Sequence, residues 1–199
     1  MKKFSWKIAV ISVLPMTLLL LINVYMLRGM EETKIRQNSR FPNFTAQDIY
    51  GNTVTDNIFM GRFSVVYLWV TNDADINQNM CSFITKLSSK TTMPVQLVGI
   101  IGDAKDGNAA KIARAQSLIE NLPPNMIQII PDDDMMPFLQ KIHNAPFVCF
   151  VNEEGNFVGQ PIVGNEPELV EKEANRLITE NPLAFETAAK VQEGLFGRP

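Results

Sequence analysis

The chain has 199 residues, a formal net charge of −3 and 46% hydrophobic residues, which suits one domain with attachments better than two full domains. The acidic balance excludes a nucleic-acid binder, which needs a dense basic footprint that no Lys or Arg run in the body supplies. Two cysteines, Cys81 and Cys149, and a single histidine, His143, exclude a disulfide-stapled fold and leave little material for a zinc site or a histidine-centred triad, so neither metal nor cofactor is expected.

The first element in chain order is apolar. Ile8 to Leu27, IAVISVLPMTLLLLINVYML, contains no charged side chain. Its length as a helix is about 30 Å, the hydrocarbon thickness of a bilayer. Pro15 is tolerated in such a helix. Large residues (Tyr25, Met26, Leu27, Arg28) stand at its end instead of a small-x-small cleavage site, which favours an anchor over a removed signal peptide. The expectation is a cytoplasmic tail at 1–7, a transmembrane anchor in contact with lipid at 8–27, and a polar juxtamembrane linker at 28–40. Charge bias across the anchor is nearly even, and the short tail favours an inside N-terminus with the domain extracytoplasmic.

The domain is expected over 41–178. Tyr50-Gly51-Asn52 is a turn signal and Val54 begins a short strand. Phe63 to Val70, FSVVYLWV, is a β-branched apolar run of the kind buried on both faces. A helix is predicted from Ile76 to Lys90, then a buried strand from Val95 to Ile101. Gly107 and Asn108 open a helix over Ala109 to Asn121, which Pro123-Pro124 stops. Met126 to Ile130 reads as a short strand. Asp132, Asp133 and Asp134 stand at the start of a helix running to Ile142; they lack calcium-loop spacing and suit the positive end of a helix dipole. FVCFV after Pro146 is a strand, Glu153-Glu154-Gly155-Asn156 a hairpin turn, and Phe157 to Val163 its return. Glu166 to Ile178 is the last helix of the domain. The tail, 179–199, holds a further helical stretch at Leu183 to Gln192. Repeated βα units imply an α/β fold with a central mixed sheet, helices on both faces and an antiparallel edge.

These residues resemble the membrane-tethered thioredoxin-like proteins of cytochrome maturation and envelope thiol-disulfide exchange. FPNFTAQDIYGNTV is similar to that family's strand-turn-strand entry, and the strand ending in Leu68-Trp69-Val70-Thr71 to the one that closes in Trp-Ala-Thr before its redox motif. NAPFVCFVNEEGNFVG matches its proline, buried strand and glycine turn. The resemblance covers most of Phe41 to Ile178 and implies a cis proline at Pro146. With Ala145, Trp69 and Phe147, that proline would shape a groove for extended polypeptide.

The family's two redox cysteines are missing. The matching positions are Asp73 and Ile76, a carboxylate and an aliphatic group. Exchange requires an exposed thiolate and a resolving thiol beside it, so ordinary thiol-disulfide chemistry is expected to be absent. The expected function is a non-catalytic, membrane-tethered module binding a protein or peptide outside the cytoplasm. Two other readings stay open: an atypical redox enzyme using Cys81, and a structural subunit of a membrane assembly. Asp103 and Lys105 read as an ordinary polar loop.

Overall fold

The computed structural model describes residues 35–72, 95–105, 107–120 and 126–180. The predicted anchor at 8–27, the helix predicted at Ile76 to Lys90 and the stretch at Leu183 to Gln192 lie outside these. Among the described residues no helix is long and apolar enough to cross a membrane.

The chain first forms a hairpin of β1 (Thr45–Asp48) and β2 (Thr53–Thr55), then a 3-10 turn at Asp56–Phe59. Asp48 makes that hairpin locally: its Oδ1 accepts from the amides of Tyr50 and Asn52, and Gly51 takes φ +85°. The central strands are β3 (Ser64–Trp69) and β4 (Gln96–Ile101), followed by α1 (Ala109–Ile119). Asn108 caps α1, accepting from the amides of Ala110 and Lys111. Next come β5 (Ile127–Ile130), α2 (Met136–Leu139), the hairpin β6 (Phe147–Val151) and β7 (Phe157–Val163), and α3 (Pro167–Glu180).

Among the described residues one sheet holds all seven strands, in the order β2-β1-β5-β4-β3-β6-β7. β3, β4 and β5 are parallel, while β1, β6 and β7 bring antiparallel pairings. The mixed sheet with helices expected from the residues is therefore observed. Every residue of β3, β4 and β6 is buried, the physical reason for their unbroken apolar runs.

The two faces are filled differently. On one, Val65, Tyr67 and Trp69 of β3 pack with Ala115 and Ile119 of α1 and with Val170, Ala174 and Leu177 of α3. On the other, Val66 and Leu68 meet an aromatic cluster drawn from distant segments. Phe41 is its centre, with ring centroids 4.7 Å from Phe59, 5.2 Å from Phe138 and 5.2 Å from Phe157.

Two expectations change. The helix predicted from Asp132 to Ile142 is only Met136–Leu139. Pro137 explains this, because a proline fits the first helical turn but disrupts an interior. Asp132 instead ties the turn to β1, its carboxylate accepting from the amides of Met135 and Thr45. The second concerns 35–40, read as linker. Here Ile35 packs against the aromatic side, and Asn38 and Ser39 hydrogen-bond to Phe157.

Candidate functional site

Parallel β3 and β4 end together, with Trp69 opposite Ile101, and antiparallel β6 begins beside the end of β3, with Phe147 opposite Leu68. The segments after Trp69 and Ile101 and before Phe147 therefore share one edge of the sheet. This is the edge at which α/β sheets place their functional loops. The Ala145–Pro146 peptide bond there is cis, and the Pro146 carbonyl accepts from the Gly164 amide at 2.8 Å.

Thr71 is fully buried, and Asp103 holds it twice. The carboxylate accepts from the Thr71 amide at 2.9 Å and from Oγ1 at 2.8 Å. Lys111 of α1 braces Asp103, donating to its carbonyl at 2.6 Å and lying 3.8 Å from its carboxylate. A charged acceptor holding a buried amide and hydroxyl gives stronger bonds than neutral partners do. The chain leaving β3 is thus pinned to the loop after β4. Asp103 is not the plain polar loop residue expected, and the only sequence signal for its partner was a polar residue closing each strand. Lys105 pairs with Asp133 at 2.9 Å, so two of the polar loop groups face each other along this edge.

The proposed groove does not assemble from its four residues. Trp69 is fully buried, and its Nε1 donates to Gln128 Oε1 at 3.1 Å. Phe147 is 1% exposed and lies in the aromatic cluster on the opposite face of the sheet. Adjacent strands with alternating side chains cannot bring these two rings to one wall, because Phe147 is level with Leu68, not Trp69. Pro146 is also buried, and only Ala145 is half-exposed. Trp69 and Phe147 are core residues. Gly99 serves the same core: a Cβ there would stand 2.0 Å from Gln128 Oε1, so the indole–amide bond requires a glycine.

Asp73, Ile76 and Cys81 lie outside the described residues. Cys149 is a free, buried thiol opposite Val66, and burial pushes its pKa up. Such a thiol is chemically inert. Among the described residues no group of three or more His, Cys, Asp or Glu is disposed to hold a metal. A polar depression of about 430 Å³ lies between Arg40, Asn43, Phe44, Thr45, Asp56 and Asp134.

No protein-family model matches the chain, and neither does any curated protein sequence. Solved structures do. Yeast Sco1 with copper bound superposes with a TM-score of 0.57 at 19% identity, over 73% of this chain and 95% of that one. The thioredoxin domain of a thiol-disulfide oxidoreductase from Bacteroides vulgatus gives 0.54 at 22%, over 70% and 98%. BsSco, a member of the Sco family of cytochrome c oxidase assembly proteins, gives 0.55 at 16%, over 73% and 98%. At such identities the likeness speaks for the fold, and the fold is thioredoxin-like.

Proposed function

We propose that this chain is a membrane-tethered, non-catalytic thioredoxin-like module that binds a protein or peptide partner on the extracytoplasmic side. The observation that carries this reading is a fixed edge without its sulfurs. Thr71, two residues before the first family cysteine position, is locked by Asp103, yet that position is Asp73 and the second is Ile76. A carboxylate cannot enter a mixed disulfide, and an isoleucine cannot resolve one. The buried thiol of Cys149 offers no substitute.

Copper is bound by the yeast neighbour, whereas the positions of this chain that match the family's two cysteines carry no sulfur. What the described part of this edge offers is the Thr71–Asp103 lock and the half-exposed Ala145, suited to holding a partner in place without reacting with it.

Two experiments test this. A photoreactive residue at Ala145, introduced into the full chain in membranes, should give a discrete protein or peptide adduct. The same group at Glu154, in the turn at the opposite end of β6, should not. Equal labelling from both positions, or from neither, counts against an edge-bound partner. Conversely, Asp73→Cys with Ile76→Cys should create disulfide-exchange activity, since the reading treats the frame as intact and only the sulfurs as missing.

A further inference from the structure

The outer edge of β7 is closed by the chain itself. In the antiparallel ladder of β6 and β7, Asn152 donates to Asn156 and Gly164 to Pro146, and alternation turns the backbone groups of Phe157 and Pro161 away from β6. An outermost strand with such groups open is a template for another chain. Here the Phe157 amide donates to the Ser39 carbonyl at 2.9 Å, and its carbonyl accepts from the Asn38 amide at 2.9 Å. The Gln37 side-chain amide donates to the Gly159 carbonyl. The bridge of Arg40 to Asn156 sets the direction as antiparallel.

Beyond this point the edge is blocked differently. Pro161 has no N–H to offer, and the Gln160 amide donates to the Glu173 carboxylate of α3 at 2.9 Å. Gly159, at φ +65° beside a register shift, bends the strand under Leu177. The Phe157–Gly159 stretch can take an added strand, and residues 36–40 occupy it.

Gln37 and Asn38 are exposed, Asn38 has a positive φ of 59°, and Phe41, the next residue inward, is held by the aromatic cluster. Lifting residues 36–40 gives up the packing of Ile35 and the Arg40–Asp56 ion pair at 3.6 Å, while a pivot at Phe41 leaves the buried aromatic cluster in place. We propose that residues 36–40 are a strap covering a strand-addition site on β7, and that the extended segment fitting this site when the strap lifts is the same strap of a second copy. The fit is demonstrated within one chain, and exchange between copies reproduces every hydrogen bond at the edge.

The test uses the full chain and a capped synthetic peptide of residues 35–40. Asn38→Pro removes the amide that reaches Phe157 and forbids the positive φ, and Gln37→Ala removes the bond to Gly159. Amide hydrogen exchange at Phe157 should rise about tenfold in Asn38→Pro, the factor expected for one lost hydrogen bond, and less in Gln37→Ala. Gly102, whose amide bonds Trp69 in the sheet centre, is the reference and should not change. Millimolar peptide should slow Phe157 exchange again in either variant. Unchanged exchange at Phe157 in both variants, or a peptide that slows nothing, overturns the proposal. If Asn38→Pro also loosens Gly102, the Gln37→Ala chain with and without peptide decides by the same criteria.

Discussion

The two faces of the sheet solve the same packing problem with different materials. One is covered by α1 and α3, whose apolar stripes repeat with helical spacing and keep Trp69, Tyr67 and Val65 dry. Among the described residues the other is filled by six phenylalanine rings from scattered places in the sequence: Phe41, Phe44, Phe59, Phe138, Phe147 and Phe157. The helical face depends on periodicity, with its buried contacts spread along two helices. The aromatic face depends on individual rings, several of them meeting at Phe41, so its loss is concentrated at one residue.

That contrast orders the expected effects of substitution. Phe41→Ala should be the most damaging, removing a ring that touches four others and costing about 3–5 kcal/mol in urea unfolding. Gly99→Ala should cost about 1–3 kcal/mol, because its methyl group must displace the Gln128 amide and break its bond to Trp69. Tryptophan fluorescence should change with it, whereas Phe41→Ala should alter stability well before it alters the indole environment. Asp103→Ala should cost about 1–3 kcal/mol by leaving the buried amide and hydroxyl of Thr71 without their acceptor. Faster amide exchange at Thr71 with unchanged exchange at Phe157 would separate this edge from the strap.

The smallest effect belongs to the exposed side of the helical face. The Arg176 hydrogen bond holds the Glu173 carboxyl below its ordinary pKa, despite partial burial. A carboxyl with a depressed folded pKa contributes stability that is complete above the unfolded value and lost as pH falls through the folded one. Stability of the native chain should therefore fall more steeply on acidification from neutral pH than that of Glu173→Gln. Parallel acid limbs in urea titrations would show that this pair does not contribute.

How much of this could be read in the sequence follows the same division. β3, β4, β6 and α1 were legible because unbroken apolar runs, a helical stripe and the Asn108 cap are local signals. The hairpin at Gly155 was legible from its turn residues. The aromatic cluster was not, since nothing local links Phe41 to Phe138 or Phe157. α2 is shorter than the aspartate run implies, because Pro137 fits only its first turn. At the candidate site, the shared edge followed from strand order, but the groove did not. Trp69 and Phe147 looked like surface candidates by position, and only the register, with Leu68 opposite Phe147, shows that they point to opposite faces. The pairing of Thr71 with Asp103 joins residues 32 apart in sequence and needed the parallel alignment of two strands to appear.

The central claim is that a thioredoxin-like frame persists here without thiol chemistry. Its most direct test is reduction of a model disulfide by the purified full chain, followed beside a variant with both cysteines replaced by serine. The account predicts no catalysed reduction by either protein, and no labelling of Cys149 before denaturation. Rapid reduction by the native chain, abolished in the serine variant, would contradict it.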